Sequence, residues 1–136
     1  MASPTVAEYM VKDVVSISPE MTVEEVSDKM INSTFHGFPI TERGYLLGYV
    51  TAKELLKYHD RRDAKIREVM KRGTICCRAN MVIDDAIRVL FRYGIRNLPV
   101  VDENKKLIGI ISNIDIVRSQ IEKSRPSKVM SVKSFL

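Results

Sequence analysis

Apolar positions along this chain follow two rhythms, and the whole succession of rhythms occurs twice. Ile83, Ala86, Ile87, Leu90 and Phe91 fall at i, i+3, i+4, i+7 and i+8, one face of a helix. Val23, Val26, Met30 and Ile31 do the same in the first half. Ahead of each helix stands a short apolar strand, VVSI at 14–17 and TICC at 74–77. After each come two strands joined by a tight turn: FPIT and YLLGYVT around ERG, then LPVVD and KLIGIIS around ENK. Their near-continuous apolar character predicts burial on both faces. A second helix closes each unit, over 52–58 and over 113–123.

The two halves also align residue by residue. Shifted by 60, VAEYM (6–10) meets IREVM (66–70), Met21 meets Met81, and HGFPIT (36–41) meets RNLPVV (96–101), which places Pro39 on Pro99. One extra residue enters the second turn, after which GYVTAKEL (48–55) meets GIISNIDI (109–116). The charged stretch HDRRDAK (59–65) lacks apolar periodicity and links the copies. The chain therefore divides into copies over 6–58 and 66–123, that linker, and a tail over 124–136. A unit this short is marginal alone. The expected fold class is α/β (α+β), two repeated β-α-β-β-α units packed as one module about a pseudo-twofold axis. The tail holds a partial third echo, SKVMSV, with Met130 sixty residues beyond Met70. It is either an arm packed on the module or on a neighbour, or a frayed end.

At 136 residues, 45% apolar and 29% charged, the chain suits one compact module. No apolar run approaches the roughly 20 residues a bilayer requires. MASPTVAEYM lacks the basic-then-apolar plan of a secretory signal, so the expected location is cytoplasmic, with no membrane partner. Cys76 and Cys77 are adjacent. On a strand they point to opposite faces, and one is expected to be a small core residue rather than a redox centre. The net charge of +5 is uneven: five Lys or Arg against nine Asp or Glu in 1–60, hence −4, and seventeen against eight in 61–136, hence +9. A basic half can attract an anion.

Thr22 and Glu25 form a capping box at the start of the first amphipathic helix, which Val82 denies to the second. Both copies then place a hydroxyl and a carboxylate three apart where the last strand turns into the last helix: Thr51 with Glu54, and Ser112 with Asp115. Two readings are open. The pair can cap the helix by satisfying its exposed N–H groups. It can also grip a nucleotide: a helix start suits phosphate, and a carboxylate beside it can accept from ribose hydroxyls. The roles are compatible.

The order of elements, the x-h-P-h-h strand and the G-h-h-[ST]-x-x-[DE] junction, each present twice and in register over about residues 6–123, resemble the cystathionine-β-synthase (CBS) domain family in its tandem form, the Bateman module. The resemblance implies a sensor, not an enzyme, with no required cofactor. Its ligand would be an adenosine compound in the cleft between the domains: AMP, ADP or ATP first, with S-adenosylmethionine and NAD open. The ligand would shift the relation of the two domains and so signal, as in energy sensing, to an effector protein. The resemblance also implies a homodimer, a disc of four CBS units.

In the main site implied by the resemblance, Ser112 contacts the phosphate side, Asp115 holds the ribose and Arg96 faces the phosphates. Ser18, Val23, Phe35, His36 and Gly37 of the first copy would complete it. The mirror site would use Thr51, Glu54 and His36 with Arg78, Ile83 and Ile95. Glu54 departs from the family's usual Asp, and its extra methylene shifts the oxygens by more than about 1 Å. Together with the acidic balance of the first half, this predicts that Asp115's pocket is the tighter.

Rival readings belong to other classes. No HExxH, GxxxxGK[ST] or GxSxG motif occurs, and His36 and His59 do not make a metal site. Nucleic-acid binding is permitted by the basic surplus but has no helix-turn-helix signature or aromatic stacking strip. A purely structural dimer without a ligand is the remaining alternative.

Overall fold

In the computed structural model, which describes residues 3–124, Val23 and Val26, and Ile83, Ala86 and Leu90, are buried with residues of a small sheet in each copy, whereas Ile31 and Phe91, the last residues of the two expected helical faces, are exposed. The first copy opens with a single turn, α1 (Val6–Tyr9), and continues with α2 (Val23–Ile31), β1 (Gly37–Glu42), β2 (Tyr45–Thr51) and α3 (Ala52–Lys57). The second has α4 (Ile66–Val69), β3 (Cys77–Arg78), α5 (Ile83–Tyr93), β4 (Asn97–Val101), β5 (Leu107–Ser112) and α6 (Asn113–Ser124). The third echo in the tail lies outside the described residues. No helix among those described is long and apolar enough to cross a membrane.

The hairpins form as read. β1 pairs antiparallel with β2, setting Pro39 opposite Tyr49, and β4 with β5, setting Pro99 opposite Ile110. Each hairpin carries an irregularity at the same place, between Ile40 and Thr41 and between Val100 and Val101. Burial on both faces holds for β1 and β4, whereas β2 and β5 alternate and present one face outward. Thr22 caps α2 as expected: its Oγ1 accepts from the Glu25 N–H at 3.1 Å, and Glu25 Oε1 accepts from the Thr22 N–H at 2.9 Å. Val82, at the start of α5, makes no side-chain cap bond. Cys77 is buried in the second core and Cys76 is exposed, and burial pushes the Cys77 thiol up to about 12.

The expected opening strands are much shorter than VVSI and TICC. Only Ile17 bridges β1, at Ile40, and only Cys77–Arg78 pairs with β4. The cause is an exchange. Val6 of α1 is fully buried in the core of the second copy, with Leu98, Val100 and Ile111. Ile66 of α4 is buried in the core of the first, with Phe38, Ile40 and Val50. Each opening turn thus docks on the other copy, and the chain must cross back before its own sheet can begin. The residues between are spent on that crossing rather than on strand.

Backbone bonds secure both exchanged turns. The Val6 and Ala7 N–H groups donate to Met81 O and Ala79 O, and those of Ile66 and Arg67 donate to Met21 O and Pro19 O. The segment ahead of each turn also serves the other copy's helix: Pro4 O accepts from the Ile83 N–H at 2.9 Å, and Ala64 O from the Val23 N–H at 2.9 Å. These carbonyls satisfy donors that a helix start leaves without partners. Arg67 adds ion pairs from α4 to Glu20 and Glu42 of the first copy.

The glycine of the G-h-h-[ST] junction has its explanation here. A Cβ on Gly48 would lie 2.9 Å from Lys71 O, and one on Gly109 would lie 2.6 Å from Met10 Sδ and 3.1 Å from Val11 O. The glycines let the crossing backbone lie against β2 and β5. The Val11 N–H then donates to Ile110 O at 2.8 Å, and the Gly73 N–H to Leu47 O at 2.8 Å.

Ile66→Ala removes a side chain from the first copy's core and is expected to cost about 2–5 kcal/mol. Gly48→Ala pushes against backbone and is expected to cost about 1–3 kcal/mol. Urea unfolding followed by circular dichroism should show one shared transition moving to lower urea in each variant. A second transition, or a midpoint unchanged in both, would contradict the exchange.

Candidate functional site

Each crossing segment leaves a hollow beside the strand-to-helix junction it passes. At the junction of β5 and α6, Asp115 closes a tight box with Ser112. The Ser112 N–H and hydroxyl donate to Asp115 Oδ2 at 2.8 and 2.9 Å, and the Asp115 N–H donates back to Ser112 Oγ at 3.2 Å. Arg118 donates to the other oxygen, Oδ1, at 2.8 Å. Asp115 is only 7% exposed. A carboxylate offers about four acceptor sites and three are taken by these donors, so the cap leaves capacity for a further donor.

A cavity of about 340 Å³ lies against this box. Its other walls are Val11 and Asp13–Val15 of the first crossing segment, Thr34–Gly37 at the entrance to β1, and Pro39, Tyr49, Asn97 and Ile110. Apolar faces from Val14, Val15, Phe35 and Pro39 therefore stand in the same cavity as the hydroxyl and carboxylate.

The counterpart lies at the junction of β2 and α3. The Thr51 N–H donates to Glu54 Oε2 at 3.0 Å, and the Thr51 hydroxyl donates to the same oxygen. The cavity here is about 590 Å³, lined among others by Lys71–Ile75 of the second crossing segment, by Ile95, and by Tyr58 and Met70. Residues 71–75 stand where 11–15 stand in the first cavity, and Ile95 where Phe35 stands, each 60 residues on. Tyr49 borders both cavities. Burial pushes its phenol up to about 12.

The structure thus gathers Phe35, His36 and Gly37 with Ser112 and Asp115, and gathers Ile95 with Thr51 and Glu54. The other expected residues stand elsewhere. Ser18 is exposed and accepts from the Glu20 N–H, away from Asp115's cavity. Val23 is buried in the first core and borders Glu54's cavity instead. Arg96 is exposed and does not line Asp115's cavity; its carbonyl accepts from the Asn113 N–H at 2.9 Å. In the mirror set, His36 lies on the opposite cavity, Ile83 is buried in the second core, and Arg78 is exposed and pairs with Glu103. The exchange is the reason. The wall facing each junction comes from residues before the first strand, 11–15 or 71–75, not from the strand's far end. The Val6–Met10 and Ile66–Met70 echo, with the junction glycines, was the available signal.

The lining also differs in charge from the half-chain balance. Glu54's cavity lies at a junction of the acidic half, yet it takes Lys71 and Arg72 from the basic one.

Comparison with known proteins places these features. The family model described as CBS domain matches residues 6–61 and again residues 66–122. Uncharacterized protein MJ0188 of Methanocaldococcus jannaschii is 40% identical over 133 residues, covering 96% of this chain and 49% of that protein. The chain spans half or less of the length of the first curated relatives it matches. A crystal structure of CBSX2 in complex with AMP superposes with a TM-score of 0.82 at 24% identity, covering 90% of this chain and 99% of that one. The CBS domain pair of protein MJ0100, in complex with 5-methylthioadenosine and S-adenosyl-L-methionine, superposes with a TM-score of 0.78 at 23% identity, covering 90% and 100%. With both copies matched, and the fold shared, the chain belongs to the CBS domain family, of which it carries two domains in tandem.

Proposed function

We propose that this chain is a regulatory module that takes adenosine-containing ligands in its two seam cavities and passes the resulting change to a protein partner. One observation carries the reading. Both cavities combine apolar walls, a hydroxyl–carboxylate pair and a crossing segment from the opposite side of the seam, all related by the repeat. Their volumes fall in the range of roughly 300–1,000 Å³ common for small-molecule sites. The adenine ring suits the apolar walls, and ribose hydroxyls suit the carboxylates of Asp115 and Glu54. CBSX2 with AMP, and MJ0100 with 5-methylthioadenosine and S-adenosyl-L-methionine, support the class of ligand. A ligand so placed touches both copies at once and can bias how they pack, a coupling typically worth about 1–3 kcal/mol.

A thermal-shift panel of AMP, ADP, ATP, adenosine, S-adenosylmethionine and NAD tests this reading on the wild type, Asp115→Ala, Glu54→Ala and the double variant. A ligand at 100 times its dissociation constant adds about 2.7 kcal/mol, a rise of several degrees. Each alanine also removes a cap, worth about 1 kcal/mol, so the comparison is the rise on adding ligand, not the starting temperature. Each binding ligand should lose most of its rise in one single variant and all of it in the double. A full rise in the double variant would move the site elsewhere. Ligand recovered unchanged after long incubation is the expected result for a sensor.

We further propose a homodimer through the helical faces. Phe91 (84% exposed), Ile114 and Val117 of the second copy, and Ile31 and Leu56 of the first, leave apolar surface uncovered. Phe91→Glu should convert a dimer to a folded monomer in analytical ultracentrifugation. A wild type that sediments as a monomer at tens of micromolar would contradict it.

A further inference from the structure

The two cavities are built alike but charged oppositely, and this deepens the reading above, on which it rests. Corresponding positions of the crossing segments read Val11, Lys12, Asp13 and Lys71, Arg72, Gly73. In the first, Asp13 lines the cavity and Lys12 does not; in the second, Lys71 and Arg72 both line it. Among the described residues, Asp115's cavity thus holds two carboxylates, Asp13 and Asp115, with His36 as its one basic side chain. Arg118 offsets Asp115 from outside the lining, and Asp13 has no ion-pair partner among the described residues. Glu54's cavity holds one carboxylate against two cations, and neither Lys71 nor Arg72 is engaged in an ion pair among the described residues.

We infer that the cavities sort adenosyl ligands by the charge of the 5′ substituent. Glu54's cavity takes the anionic ones, nucleoside phosphates, with Lys71 and Arg72 on the phosphates. Asp115's cavity takes neutral or cationic ones, such as adenosine, a thioether or a sulfonium, because a phosphate there would face Asp13. A crossing segment and a strand-to-helix junction line both cavities, so the sorting resides in residues 71 and 72 on one side and 13 on the other. The module then reads two pools of adenosyl compounds rather than one, and the departure of Glu54 from Asp marks a site of different selectivity.

The test is isothermal titration of AMP and of adenosine into the full chain, wild type, Lys71→Gln/Arg72→Gln and Asp13→Asn, each checked for an unchanged melting temperature without ligand. The substituted residues are exposed, so the fold should be kept. Removing both cations should weaken AMP about tenfold or more, the scale of charged hydrogen bonds, and flatten its salt dependence, while leaving adenosine within about twofold. Asp13→Asn should open the second cavity to AMP and raise its stoichiometry from one to two. AMP bound as tightly without Lys71 and Arg72, with adenosine also bound, would overturn the sorting and leave the seam sites standing. Neither ligand bound by the wild type at millimolar concentration would overturn the sorting and the seam sites together.

Discussion

Val6 is buried among residues contributed by 77–116, and Ile66 among residues contributed by 17–55. Full burial of one such side chain is worth about 1.5–3 kcal/mol, and here each gain is available only if both copies are folded and in contact. The exchange therefore does more than add contacts. It forces the chain to cross the seam twice, at 11–15 and 71–75, and places backbone from one copy beside the strand-to-helix junction of the other. The cavities, the glycines at 48 and 109 and the shortened opening strands all follow from that path.

The hydroxyl–carboxylate pair illustrates how one geometry serves two ends. Ser112 and Asp115 do cap α6, and Thr51 and Glu54 occupy the same relation at α3. The cap is also what aims the group. A carboxylate anchored by two donors from residue 112 lines the cavity with its rotamer already restricted. Whatever binds there meets a preorganised acceptor, which lowers the entropy lost on binding. Capping and ligand recognition are thus not competing explanations for the spacing.

Much of this was legible in the sequence. The helical face from Ile83 to Leu90, the paired prolines and the Thr22–Glu25 box follow from local periodicity and local hydrogen bonding, and local rules govern them in the structure too, whereas Phe91, which the same periodicity puts on that face, is exposed. Phe35, His36 and Gly37 line the same cavity as Asp115. Ser18, Val23, Arg78 and Ile83 do not reach their expected cavities, because their placement depends on which copy each opening turn packs against. Nothing in the periodicity of VAEYM says that Val6 belongs to the other core. The charge of the cavities was misread for the same reason: half-chain sums assign Lys71 and Arg72 to the second copy, whereas the crossing brings them to the first.

If the exchanged turns build the ligand site, bound ligand must rest on the crossing segments. Amide hydrogen exchange of the full chain, with and without saturating AMP, measures that directly. Exchange should slow at Lys71–Ile75 and at the junction of β2 and α3, while the exposed faces of α2 and α5 keep their rates. Protection confined to those outer faces, or unchanged rates in both crossing segments while AMP is demonstrably bound, would contradict the account.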